Sequence, residues 1–318
     1  MKTYLLKRVV YSLLTLLVLI SFTFFLMRLM PGDPFVGNKA IPESVHKALM
    51  EKYDLDKPMV VQYFRYLYNV VQGDLGDSLF YKGRPVTKII AERFPVSFEL
   101  GMRSLIVAVL MGLTLGTIAA VKREKPADTV VMVIAVIGVS VPGFIMGGLL
   151  NYLLGFKLSM FLKEQFHLSY NFIPMAGWKT EAHKILPVLA LCLGSLASIS
   201  RLMRANMIDV MGADYIKTAK AKGLSPMGVV FKHGLRNGIL PVITILGPMA
   251  AALLTGTFVI EQIFGIPGMG QYFVLSVQTL DYTVISGMTL FYGAFLIILN
   301  MLVDVAYGFI DPRIRLEK

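Results

Sequence analysis

The chain has 318 residues, of which 56% are apolar and 16% charged, and its formal net charge is +11. Soluble domains carry about 25% charged residues, and a surface this apolar would associate in water. Composition therefore excludes a soluble nucleic-acid binder despite 31 Lys and Arg; it also excludes a disordered chain and, with Cys192 as the one cysteine, a disulfide scaffold.

A helix needs about 20 apolar residues to cross hydrocarbon, where no water satisfies an open backbone. The first such run, residues 9–27, follows Lys2, Lys7 and Arg8 in the manner of a signal peptide. It is longer than the roughly 7–15 residues of a signal core. Arg28-Leu29-Met30-Pro31 stands where a small-x-small cleavage site would be, so the run reads as an uncleaved first span. Residues 31–95 then mix charges, aromatics and turn signals such as Gly73-Asp74 and Gly83-Arg84-Pro85. Within them, residues 43–53 have helical spacing, with Val45, Leu49 and Tyr53 on one side. Residues 60–71 are apolar and aromatic but too short to span. They suit a helix packed in a small outer domain or lying at the interface.

The second run is 104–121, extended upstream by a turn holding Glu99 and Arg103, which sit i, i+4 and can pair. The third is 129–156 and the fourth 185–200, the latter extended through Leu202 and Met203 by letting Arg201 snorkel. The fifth is 237–260, entered at Pro241, and the sixth 282–303. The fold class is therefore an all-α integral membrane protein with six transmembrane helices. Its expected parts are an N-terminal segment and first span (1–30), an extracytoplasmic region (31–95), and a five-helix domain (96–318) with a long loop at 201–236.

Lys and Arg in short loops stay preferentially on the cytoplasmic side. With both termini inside, the cytoplasmic segments hold sixteen basic residues, seven of them between Arg201 and Arg236, against four in the short outer loops. Those sixteen face five acids, so the cytoplasmic segments alone account for the net charge. The charge marks one side of a membrane and is no footprint of a nucleic acid.

Loop 201–236 is patterned. Asp214 can cap a short helix through residues 215–222, and Gly223 supplies a helix stop. Ser225-Pro226 reads as a new N-cap with proline at the first helical position, opening a second short helix over 227–235. Ala219 and Ala221 keep the glycine corner slim, which suits insertion into a partner's groove. An interfacial helix pair with lysines facing lipid phosphate fits the same spacing, which leaves both open.

The run Tyr215-Ile-Lys-Thr-Ala-Lys-Ala-Lys-Gly-Leu-Ser-Pro226, followed by Lys232-His-Gly-Leu-Arg-Asn-Gly-Ile-Leu-Pro241, resembles the cytoplasmic signature of ABC importer permeases, in particular the dipeptide/oligopeptide branch. Met30-Pro-Gly-Asp-Pro34, Gly73-Asp-Leu-Gly-Asp-Ser78, Pro85-Val86, Ser140-Val-Pro-Gly-Phe144, Phe264-Gly-Ile-Pro-Gly-Met-Gly270, Asp304 and Asp311-Pro-Arg313 extend the likeness over nearly the whole chain. The Pro-Gly-Asp-Pro element and the long outer segment are similar to the first, B-type, permease subunit. The general importer loop carries Glu-Ala-Ala where this chain has Lys217, Thr218 and Ala219, and the distance from Gly223 to Pro241 exceeds the general pattern. Both departures match the peptide branch.

The resemblance implies that the corner is a coupling helix docked on an ATPase. Asp214 would cap it, Tyr215, Thr218, Ala219 and Lys222 would offer contacts, and Gly223 would set the corner. It implies a homologous second permease subunit, two ATPase subunits and an extracytoplasmic substrate-binding protein as partners, in a cell membrane. Dipeptides, oligopeptides, nickel chelates and glutathione all fall within its substrate range. No cofactor belongs to this chain, and ATP with its magnesium would be held by the ATPases.

No G-x-x-x-x-G-K-[ST] loop occurs, so the chain is not expected to hydrolyse ATP itself. The histidines, His46, His167, His183 and His233, lie outside the predicted spans, which speaks against an intramembrane zinc or serine enzyme using Ser195, Ser198 or Ser200. Catalytic and metal sites are expected to be absent. An ion-coupled carrier or channel needs intramembrane ionisable groups, and only Glu99 with Arg103, and Asp304, qualify. The apolar outer loop 261–281 is expected to form either a docking knob around Phe264, Ile266 and Met269 or a re-entrant plug.

Overall fold

The computed structural model describes residues 2–35, 42–166, 173–255 and 257–310. His167, the tail 311–318 and the side chain of Asp304 lie outside the described residues. Helices account for nearly all of the regular structure: α1 (Lys2–Leu29), α2 (Glu43–Lys52), α3 (Met59–Val71), α4 (Val86–Val121), α5 (Pro126–Ser140), α6 (Gly143–Leu150), α7 (Leu158–Phe166), α8 (Glu181–Gly212), α9 (Asp214–Ala221), α10 (Pro226–Val229), α11 (Arg236–Gly238), α12 (Leu240–Thr255), α13 (Phe258–Ile263), α14 (Met269–Gln278) and α15 (Tyr282–Ile310). π-helical turns at Asn151–Lys157 and Val230–Leu235 link α6 to α7 and α10 to α11. Six stretches are long and apolar enough to cross a membrane: Lys7–Leu29, Val86–Val121, Gly143–Phe166, Glu181–Gly212, Leu240–Ile263 and Tyr282–Val303. The described chain divides into two compact units, Met1–Val96 with Gly268–Lys318, and Ser97–Pro267.

In the first unit α1 and α15 lie along each other. Gly293 permits the approach, since a Cβ there would stand 2.5 Å from the Leu19 side chain. Met27, Leu79, Tyr282 and Ile285 form a buried cluster. The two predicted helices between the first two spans are present as α2 and α3, and on α3 the Tyr66 ring stacks on Phe24 (centroids 5.6 Å apart) while the Tyr63 ring meets Phe24 edge-on (5.3 Å). Asp281 is fully buried. It caps α15 by accepting from the Val284 N–H (3.3 Å), and it pins the Gly-Asp-Leu-Gly-Asp-Ser segment through Ser78 Oγ (2.5 Å) and the Leu79 N–H (3.1 Å).

In the second unit α8 is the central post. Glycines of α4 and α5 face it: a Cβ at Gly116 would lie 2.6 Å from the Ser200 carbonyl, and one at Gly138 3.1 Å from the Leu193 carbonyl. Small residues of this kind let backbones approach where lipid removes the hydrophobic incentive. Ala108, Cys192, Ile199, Met203, Met207 and Val242 fill the core around it.

Three expectations are corrected and one alternative is removed. Pro95 does not precede the second long helix; it sits inside α4, which begins at Val86. The proline forfeits one backbone bond, and buried Val86, Ile89 and Ile90 hold the turns before it in place. The third run is not one helix: Val141 and Pro142 are extended (ψ 124° and 136°) and divide α5 from α6. The fourth helix does not stop near Met203; it continues to Gly212, because Met203 and Met207 keep an apolar inner face through the charged stretch. Of the two alternatives left open for loop 261–281, an exposed knob is removed, since Phe264, Ile266 and Met269 are all buried.

Candidate functional site

The corner after α8 is assembled from local rules. Ala213 turns extended (ψ 152°) and ends α8, and α9 starts at Asp214. Asp214 is therefore the first helical residue and makes no capping bond, which corrects its predicted role as the cap. Its carboxylate lies in the first turn, where the helix dipole favours negative charge, and it accepts from Lys217 Nζ at 2.8 Å. The Thr218 hydroxyl donates to the Asp214 carbonyl (3.2 Å).

Gly223 closes the helix. It takes φ +79°, a conformation that costs a side-chain-bearing residue about 1–2 kcal/mol. Its N–H donates to the Lys220 carbonyl (2.9 Å) and the Leu224 N–H to the Ala219 carbonyl (3.3 Å). These are the two bonds of a Schellman motif, and they satisfy carbonyls that the helix end would otherwise orphan. Ser225 then caps α10 as expected: its Oγ accepts from the Gly228 N–H at 3.2 Å, with Pro226 in the first turn.

The corner is seated on α8 by a small apolar cluster in which Ile216, Ala219 and Val229 are buried and Val210, Met211 and Leu224 pack around them. Of the six residues singled out from the sequence, Asp214, Tyr215, Thr218, Lys222 and Gly223 are exposed. Ala219 faces the cluster beneath, so it keeps the corner slim from inside and offers no surface contact. Met227 and Phe231 are large, apolar and exposed beside this corner in sequence. Sequence reasoning missed them, because both sit in a segment whose spacing fits a buried face as well.

Both ends of α8 are tied. Toward the corner, Arg204 grips Asp128 of α5 with Nε (2.5 Å) and Nη2 (2.7 Å), and the Glu124 N–H donates to the same carboxylate (3.1 Å). The Arg204 hydrogen bonds hold the buried Asp128 carboxyl below the usual carboxylate range, against the opposing effect of burial. At the other end Lys184 bridges Glu99 (2.8 Å) and Glu181 (2.9 Å), while Arg103 pairs with Glu99 (2.7 Å) and Glu181. Trp178 Nε1 also donates to Glu99 (3.2 Å). The predicted Glu99–Arg103 pair is thus part of a charge-balanced knot joining α4 to α8. His183 sits in the first turn of α8, its Nδ1 2.7 Å from Thr180 Oγ1. Among the described residues no group of His, Cys, Asp and Glu is placed to hold a metal ion.

The profile of the family described as "Binding-protein-dependent transport system inner membrane component" matches residues 112–316, and that of its N-terminal component matches residues 1–101. The chain belongs to this permease family. Among its relatives, the dipeptide transport system permease protein DppB of Bacillus subtilis (strain 168) is 45% identical over 318 residues, covering 100% of this chain and 99% of the relative. The oligopeptide transport system permease protein OppB of Haemophilus influenzae is 41% identical over 317 residues, covering 99% of this chain and 100% of the relative. The solved MetNI methionine ABC transporter, in an inward-facing conformation, shares the fold. Its TM-score is 0.51 at 17% identity, over 70% of this permease and 94% of that chain. With six membrane-length apolar helices, the permease is a multi-pass protein of the bacterial inner membrane. Permeases of this family are membrane components of transport systems and not their catalytic subunits.

Proposed function

We propose that this permease carries dipeptides or oligopeptides into the cell as the B-type membrane subunit of an ATP-driven importer working by alternating access. The observation that carries the reading is full-length identity of 39–45% to permeases of dipeptide and oligopeptide transport systems. A second permease subunit, two ATPase subunits and a substrate-binding protein complete the assembly. ATP and magnesium are handled by the ATPases, since this sequence has no phosphate-binding loop of the Walker type. The exposed corner of Asp214, Tyr215, Thr218, Lys222 and Gly223 docks on an ATPase, a reading supported by its apolar seating on α8. The termini and this corner face the cytoplasm, in keeping with the basic-residue asymmetry.

The test is uptake of labelled peptides of graded length into proteoliposomes holding the assembled complex. Uptake is expected to require ATP inside the cell-equivalent compartment and to survive collapse of ion gradients. Uptake that follows an ion gradient without ATP would sink the reading. The permease purified alone is expected to show no ATPase activity above background.

A further inference from the structure

The Ser140-Val-Pro-Gly-Phe144 motif has no part in the coupling corner, and its geometry points elsewhere. Pro142 lacks an N–H and does not let α5 continue, and the chain runs extended for Val141 and Pro142 before α6 begins. The Ile145 and Met146 N–H groups both turn back to the Pro142 carbonyl (3.0 and 3.1 Å). The N–H groups of Gly143 and Phe144, at the head of the new helix, have no intrahelical acceptor.

The depth of this break follows from its neighbour. Gly138, just before it, meets the Leu193 carbonyl and Ala197 of α8, and Gly147, just after it, meets Ala190. Residues 190–197 span the centre of the charge-free stretch 185–200, so the break lies near the middle of the hydrocarbon. Ser140, Pro142, Gly143 and Phe144 are nonetheless exposed on this chain. Hydrocarbon does not tolerate irregular backbone; at that depth it must be covered by protein or line water.

A groove of about 480 Å³ opens at the break, walled by Val141, Pro142, Gly143, Gly194, Ser195 and Ser198. That volume falls within the roughly 300–1,000 Å³ of small-ligand sites. No charged residue lines it. Its polar groups are hydroxyls and main chain, which match the amide groups common to every peptide and ignore side-chain identity.

We infer that this groove lines the aqueous route through the permease and takes the backbone of the transported peptide against the α5–α6 break. The inference rests on the proposed peptide-import function. Discontinuous helices at mid-membrane supply main-chain groups to substrates in many secondary transporters, and here the discontinuity and the opening coincide with an uncharged, largely apolar lining in which Ser195, Ser198 and main chain are the polar groups.

Cys192 is the chain's one cysteine and is buried, so Cys192→Ala leaves this chain without a thiol, and labelling is read on this subunit after the assembly is separated. Ser195→Cys and Gly143→Cys are placed in the assembled transporter in proteoliposomes and treated with a cationic, membrane-impermeant methanethiosulfonate, with and without ATP. Val133→Cys, exposed on α5 outside the groove, is the comparator. The cysteine thiolate attacks the reagent's sulfenyl sulfur, forming a mixed disulfide and releasing methanesulfinate; the thiolate forms in water and is suppressed in hydrocarbon. A single unit of pKa changes the thiolate fraction about tenfold, so roughly tenfold or more faster labelling is expected at the two groove positions. A transported dipeptide should slow both and leave Val133→Cys unchanged.

Groove cysteines no faster than the comparator in either nucleotide condition would mean lipid or a partner helix covers the break, and would overturn the inference. Fast labelling that peptide does not slow would overturn it as well. Peptide uptake by the Cys192→Ala complex is measured in parallel. Uptake with unreactive groove cysteines removes the groove and leaves the importer; absent uptake in the unmodified complex removes the importer and the peptide with it.

Discussion

α1 and α8 are both long and apolar enough to cross a bilayer, yet 11% of the most apolar stretch of α1 is buried within the chain against 50% for α8. The more hydropathic helix is the less buried one. In water that order would be reversed, because apolar area drives burial there. In lipid, apolarity secures insertion but gives helices no reason to prefer one another over acyl chains, so close packing falls to small residues and polar ties. α8 has both. Glycines 112, 116 and 138 of its neighbours meet it at backbone distance, and Asp128–Arg204 and the Glu99 knot secure its ends. α1 exposes Leu13, Val18 and Phe22 instead. The post that carries the corner is thus the best-held helix of its unit.

The contrast is open to breaking. The largest effect is expected for Gly116→Val. Its new side chain would meet the Ser200 carbonyl at 2.6 Å and Met203 Cβ at 2.7 Å, neither of which can swing aside. Overpacking of this kind should cost about 3 kcal/mol, read as a drop in the thermal transition of the nanodisc-embedded complex. Gly148→Ala, where nothing lies within 4 Å, is the matched control and should leave the transition in place.

Next comes Asp128→Asn, which weakens two charged hydrogen bonds from Arg204 and should cost about 2–3 kcal/mol. The pH dependence sharpens this. The Asp128 carboxyl is lowered in the folded state, so the stability from the pair is full above the unfolded carboxylate pKa of about 3.9. It is lost as pH falls through the folded value, which lies lower still. Between pH 5 and 8 the gap between wild type and variant should stay constant, and it should close only in acid. A gap that closes near neutrality would refute the assignment.

Gly223→Ala should cost about 1–2 kcal/mol through its left-handed backbone. If the corner docks on an ATPase, substrate-stimulated ATP hydrolysis should fall further than the small thermal shift accounts for. Equal loss in both measurements would leave the corner a merely structural feature. The smallest effect belongs to α1: Phe22→Ala, at an exposed position, should move the thermal transition by less than about 0.5 kcal/mol equivalent. A loss as large as that of Gly116→Val would show α1 to be as tightly packed as α8 and dissolve the comparison.

Hydropathy located four of the six membrane-length stretches to within a few turns, but it missed the early start of α4 and the interruption at Val141–Pro142. Pro142 and Gly143 both weaken a helix wherever they stand. Whether a proline bends a helix or ends it depends on what its neighbours offer the freed backbone, and that is not written along the chain. The corner was more legible. Gly223, Ser225 and Pro226 act through bonds within three or four residues, so their roles follow from sequence order. Asp214 was misread by one position, because Ala213 takes the extended capping geometry without a side chain that signals it. Ala219 was misread because burial beneath a helix depends on Val229, Val210 and Met211, which come together only in the folded corner.

The sequence by itself determined the medium, the number of spans and the local stops of the corner. Each follows from the apolar content of a run or from the backbone preferences of single Gly, Pro and Ser residues, which act over a few ångströms. Tertiary structure alone decided that α8 would continue nine residues past its last predicted one, that Asp281 would clasp a segment 203 residues away, and that the third run would break at Val141–Pro142 beside a groove. Those outcomes depend on pairs of surfaces brought together across the chain, where a carboxylate finds its donors or a glycine admits a backbone.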